Sequence, residues 1–121
     1  MIEALKDFPA NVAAFVCRGH VTRHEYETVL VPAVNKVLDG HQKLRLYYET
    51  AADFGGIDPS AVWEDFKVGV EHLGRWERIA VVTDVDWIKH TMRAFSFVMP
   101  GELKVFSLAE RGKAREWIVS A

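Results

Sequence analysis

Two strand-like runs of this chain end in a carboxylate beside a hydroxyl: Glu49–Thr50 closes KLRLYYET and Thr83–Asp84 closes RIAVVTD. Such groups can move a proton or hold a polar ligand, and in open parallel sheets binding sites collect at the carboxyl edge of the strands. Asp53, in the Asp53–Gly56 loop, belongs to the same edge. Glu49, Thr50, Asp53, Thr83 and Asp84 are therefore the candidate strand-edge polar site. The structural alternative makes Asp84 the start of a turn and Glu49 a solvated edge charge. Neither pair supplies a nucleophile with its base and an orienting third group. No catalytic residue is assigned, and the chain is read as non-enzymatic.

Other chemistry-bearing residues are sparse. His20 and His24 stand four apart, the spacing of two metal ligands on one helix face. A capping box starts the helix at Thr22, however, so His20 precedes it, and no third ligand is close in sequence. No metal is expected there, and His41, His72 and His90 are each placed alone, on helix ends or solvent faces. Cys17 lies in an apolar strand, where burial disfavours the nucleophilic thiolate. The paired glycines Gly55-Gly56 do not make a dinucleotide fingerprint, and neither a P-loop nor a G-x-S-x-G elbow is present. No cofactor is expected.

A second candidate surface is apolar. In Ala94–Pro100 (AFSFVMP), Phe95, Phe97, Val98 and Met99 cannot all face one way on a helix. Exposed apolar clusters mark partner surfaces or ligand mouths, so Trp87, Phe95, Phe97, Val98 and Met99 form the candidate ligand or partner surface. The alternative tucks this helix end into the core. Trp63, Trp87 and Trp117 occupy helical core positions and are read as packing residues, while Trp76 is expected half exposed.

Composition bounds the roles open to these residues. A length of 121 residues fits one domain, 1–121. Half the residues are apolar and 26% are charged, the mix of a globular chain that builds a core. With 15 Lys and Arg against 17 Asp and Glu, the net charge is -2, so no nucleic-acid partner is expected. One cysteine excludes an internal disulfide framework. The opening MIEALKDF lacks a basic n-region and a long apolar run, and no stretch is long and apolar enough to span a membrane. A cytoplasmic setting is expected.

The elements that must position these groups follow from periodicity. Met1–Leu5 and Val12–Cys17, joined by a turn with Pro9, predict an antiparallel hairpin. Val12–Cys17 is apolar throughout, as in a strand covered on both faces. Thr22-x-x-Glu25 is a capping box. The helix behind it puts Tyr26, Val29, Leu30, Ala33, Val34, Val37 and Leu38 on one face. Pro32 inside that pattern predicts a kink or restart near Val31, and Gly40 a stop. Lys43–Thr50 alternates, with Leu44, Leu46 and Tyr48 on the covered face and Arg45, Tyr47 and Glu49 on a partly wet one. A helix over Pro59–Leu73, capped by Asp58, points Val62, Trp63, Phe66, Val70 and Leu73 inward. Then come the strand Arg78–Asp84, a helix capped by Asp86, the strand Leu103–Phe106 and a last helix capped by Ser107. The order ββαβαβαβα demands right-handed crossovers and a mostly parallel sheet with an N-terminal antiparallel strand.

That order, together with TRHEYETVLVPAV (22–34), KLRLYYET (43–50), FGGIDPSAVWEDFKVGVEHL (54–73), RWERIAVVTDVDWI (75–88) and PGELKVFSLAERGKAREWI (100–118), resembles the SpoIIAA-like branch of STAS-type domains along essentially the whole chain. The resemblance implies a βα superhelix and a small non-enzymatic binding or regulatory module related to anti-sigma-factor antagonists, with a protein partner and a homodimeric state. Those antagonists carry a phosphorylatable serine in a D-S-x-G-like context after the third strand. This chain has Thr50-Ala51-Ala52-Asp53-Phe54-Gly55-Gly56 there. Ser60 and Thr50 are left as weak phosphorylation candidates, and the sigma-factor pathway is not carried over. The fold's similarity to SEC14-type domains implies the alternative, a binder or carrier of a lipid or other apolar small ligand.

Overall fold

A turn held by the Val12 N–H donating to the Pro9 carbonyl (3.0 Å) folds β1 (Ile2–Ala4) back, antiparallel, on β2 (Val12–Cys17). In the computed structural model, which describes residues 1–58, 60, 67 and 73–121, every residue of β2 is buried. A two-residue strand, β3 (His20–Val21), follows. Thr22 and Glu25 then form the expected reciprocal cap at the start of α1 (Arg23–Glu25). Pro32 has no N–H to donate one turn back. The chain accommodates it with a wider π turn over Tyr26–Leu30 and resumes as α2 (Val31–Gly40), with the Val31 N–H reaching the Tyr26 carbonyl. The restart at Val31 is where the proline placed it.

β4 (Leu44–Thr50) pairs parallel with β2, and β5 (Gly56–Ile57) pairs parallel with β3. The helix expected over Pro59–Leu73 lies outside the described residues apart from Ser60, Lys67 and Leu73. A 3-10 turn (Leu73–Arg75) leads into β6 (Trp76–Val82), then α3 (Asp86–Ser96), β7 (Glu102–Phe106), a 3-10 turn (Leu108–Glu110) and α4 (Arg111–Val119). The main sheet runs β1-β2-β4-β6-β7, with β1 antiparallel and every other neighbour parallel. The small β3–β5 sheet was not foreseen, because two residues are too few to show a period.

Two cores lie on the two sheet faces. One packs α2 and α3, through Val34, Val37, Leu38 and Ile88, against Phe15, Leu46, Tyr48, Ile79 and Val81. The other packs Ala114 and Ile118 of α4 against Val12, Ala14, Tyr47, Ala80 and Val82. This second core corrects the partly wet face assigned to β4: Tyr47 is fully buried and Glu49 nearly so, because α4 covers them. Trp76 is also buried rather than half exposed. A register shift between Leu44 and Arg45 pairs Leu44 with Trp76 but Arg45 with Arg78. The bulge rephases Trp76 onto the face of Ile79. Gly101 lies against that bulge, where a Cβ would come 2.4 Å from the Trp76 carbonyl oxygen. Asp86 is the first residue of α3 and makes no side-chain cap; Val85 occupies the cap position. Ser107 does cap, through a reciprocal box with Glu110.

Candidate functional site

The carboxyl edge of the parallel strands gathers Cys17, Thr50, Thr83 and Phe106, as topology requires. Because Glu49 pairs with Val82, the next residues along, Thr50 and Thr83, meet, and their hydroxyls share a 2.6 Å hydrogen bond in the interior. Thr83 Oγ1 also accepts from the Val85 N–H (3.1 Å), turning the chain toward α3. Thr50 is therefore sequestered, which removes it as a phosphorylation candidate in the folded chain. Ser60 is exposed.

The carboxylates do separate jobs. Asp84 accepts from the Leu108 N–H (3.1 Å) and fastens the turn after β7. Asp53 is exposed in the turn after β4. Glu49 is 5% exposed, not a solvated edge charge; its carboxylate accepts from the Tyr47 hydroxyl (2.6 Å), with Arg111 at 3.8 Å. Burial, then the bond to Glu49, pushes the Tyr47 phenol up to about 12, because the phenolate would face a carboxylate away from water. Arg115 lies 5.5 Å over the Tyr47 ring and 5.6 Å over that of Phe8. Sequence reasoning missed Arg111 beside Glu49 and Arg115 over the Tyr47 ring. The alternation of KLRLYYET did place Tyr47 and Glu49 on one side, and only the cover was absent from the local pattern.

The loop after β4 is built onto β2 and β3. Ala51 N–H donates to the Cys17 carbonyl (2.9 Å) and Gly55 N–H to that of Gly19 (2.7 Å). Gly19 has a positive φ of 55°, which glycine adopts without strain. The His20 ring bonds Asp58 across β3 and β5, so His20 faces a carboxylate rather than His24, which is exposed on α1. Cys17 is a buried free thiol.

The apolar candidates divide. Ile88, Met92, Phe95 and Met99, at i, i+4, i+7 and i+11, face the core. Met99 is buried and Phe95 partly so. Trp87 is 48%, Val98 65% and Phe97 90% exposed, so Trp87 is not the packing residue its spacing suggested. Trp87, Ala94 and Val98, at i, i+7 and i+11, share one exposed flank of α3 and the turn after it.

A sheet of four parallel strands with one antiparallel strand at its edge, helices on both faces and polar groups at the strand ends engaged internally defines an α/β module of the STAS type. A SpoIIAA-like family model matches residues 12–119, and the chain belongs to that family. Among solved structures, it is similar to an uncharacterized protein of the DUF3478 family with a SpoIIAA-like fold from Shewanella loihica PV-4. That likeness has 23% identity and a TM-score of 0.72, covering 98% of this chain and 92% of the other. At this identity it speaks for the fold alone. A search of curated proteins gives no match. Among the described residues, no helix is long and apolar enough to cross a membrane.

Proposed function

We propose that this chain is a non-enzymatic binding or regulatory module of the cytoplasm, and that it meets a protein partner through the exposed apolar flank of α3 and the turn after it. One observation carries the reading. Thr50, Thr83, Glu49 and Asp84 are engaged in holding the fold together, whereas Trp87, Phe97 and Val98 are large apolar residues left in water. Large apolar side chains left exposed along one segment mark interaction sites, and aromatic side chains anchor them. The buried thiol of Cys17 suits a reducing compartment. A homodimeric state belongs to the same reading.

The test is affinity capture from the native cell extract with wild type and with Phe97→Glu and Val98→Asp. A protein retained by wild type at stoichiometric level and lost from both variants supports the reading. Equal retention by all three removes α3 from the contact. The competing reading, a carrier of a lipid or other apolar ligand, rests on the same residues. Native mass spectrometry that finds bound lipid in wild type and none in Phe97→Glu would decide for it.

A further inference from the structure

The two edges of the sheet differ. At one end β1 is short, and Glu25 already accepts the Ile2 N–H (2.7 Å). At the other end, among the described residues, no strand pairs with the outer edge of β7. The Phe106 carbonyl accepts from the Thr83 N–H of the β6 side (2.9 Å). By strand alternation, Glu102, Lys104 and Phe106 turn their backbone groups toward β6, and Leu103 and Val105 turn theirs outward. An open edge is a template for another strand, which edge charges repel unless the incoming strand complements them.

The exposed side chains of this edge are Glu102 and Lys104. Glu102 has no ion-pair partner among the described residues. The Lys104 ammonium lies 4.9 Å from the Trp117 ring centre, a contact that leaves its N–H groups available to a carboxylate. We propose that β7 pairs antiparallel with β7 of a second copy of this chain, two-fold about Leu103, so that the two sheets become one.

Charge selects that register. With Leu103 opposite Leu103, the outward backbone groups of Leu103 form the hydrogen-bonded pair. Glu102 then stands opposite Lys104 of the second copy, and Lys104 opposite its Glu102. Both ion pairs fall at non-hydrogen-bonded positions, where facing side chains are closest. A two-fold about Lys104 would set Lys104 against Lys104, and a parallel copy in register would set like against like at both positions. The contact is isologous, so it closes at two copies. A strand of five residues buries little area, so the dimer is weak, with a dissociation constant in the micromolar range.

This surface is separate from the α3 flank, and the experiment keeps the two apart. Sedimentation velocity on the full chain, from about 1 to about 500 µM, is expected to show a concentration-dependent monomer–dimer equilibrium. Lys104→Glu and Glu102→Lys are each expected to weaken it on the order of tenfold, since each turns two attractive pairs into repulsive ones. The double reversal is expected to restore it, and Phe97→Glu to leave it intact. Among the described residues the exposed Glu102 side chain makes no hydrogen bond or ion pair, and a circular dichroism spectrum and melting temperature of Glu102→Lys matching wild type separate loss of pairing from misfolding. A monomer at every concentration, or a dimer indifferent to both single reversals, overturns the proposal. Dissociation by Phe97→Glu with Glu102→Lys silent would place the contact on α3 and overturn it too.

Discussion

Arg45 and Arg78 are direct neighbours across β4 and β6, and both turn their guanidinium groups onto the last carbonyls of α4. Arg45 donates to Ile118 (2.9 Å) and Ser120 (2.6 Å), and Arg78 to Trp117 (2.8 Å) and Ser120 (3.0 Å). Two like charges are held side by side because the negative end of the helix dipole and its last carbonyls lie between them. Glu77 adds an ion pair to Arg45 at 2.5 Å.

Arg45→Ala is expected to lower stability by about 2 kcal/mol in urea unfolding, the range of hydrogen bonds to a charged group. Arg45→Lys recovers less than half of that, because a single ammonium cannot span two carbonyls and Glu77 together. The double variant with Arg78→Ala should lose more than the sum of the singles, since each single deletion already relieves the repulsion between the two cations and the double can relieve it only once.

Thr50 and Thr83 give a second, asymmetric pair. Thr50→Val removes one hydroxyl, but Thr83 keeps the Val85 N–H as a partner. Thr83→Val strands both the Thr50 hydroxyl and the Val85 N–H. The expected losses are about 1 kcal/mol for Thr50→Val and about 2 kcal/mol for Thr83→Val. Thr50→Asp, which puts an unpaired charge into the same interior site, should leave little folded protein by circular dichroism. A folded, monomeric Thr50→Asp would show the site to be more open than its burial implies.

Glu25 predicts the acid limb. Burial raises its carboxyl, but backbone N–H groups of Ile2 and Thr22 donate to it and hold it below its ordinary value of 4.5. A depressed folded value means that stability is fully present above about pH 4.5 and is lost as the pH falls through the lower folded value. The melting temperature of wild type should therefore drop as the pH falls below about 4.5, and Glu25→Gln should show a shallower drop from a lower starting point. Parallel curves for the two proteins would remove Glu25 from the acid transition.

How far these relationships could be read in advance depended on range. The Thr22–Glu25 box and the break at Pro32 are encoded within a few residues, and both came out where the residues put them. The strand-end positions of Thr50 and Thr83 were legible too, but their hydrogen bond depends on which strands become neighbours and in what register. The cover over Tyr47 and Glu49 comes from α4, more than sixty residues away, so β4 alone looked half wet. Trp76 is buried for a different reason: one bulge residue inverts the face of everything before it. Trp87 has helical core spacing, yet it lies on the flank that no described element covers.

Tyr47 supplies the alkaline counterpart of Glu25. Its phenol, raised to about 12 by burial and by the bond to Glu49, keeps its proton in the folded chain after it would have ionised in the unfolded one near 10. The folded state then binds the proton more tightly, so stability is level below about pH 10 and falls as the pH rises from there toward 12. Tyr47→Phe removes this dependence. It also takes away the hydroxyl that satisfies Glu49, leaving a buried carboxylate with Arg111 at 3.8 Å, so it should cost about 1–2 kcal/mol at neutral pH. The two effects have opposite signatures, a lower plateau and a flatter alkaline limb, and urea unfolding at a series of pH values separates them. The chain has three tyrosines, so the difference in tyrosinate absorbance between wild type and Tyr47→Phe isolates this one. A difference curve with its midpoint near 10 would mean that water reaches the phenol, and that α4 does not seal this face of the sheet.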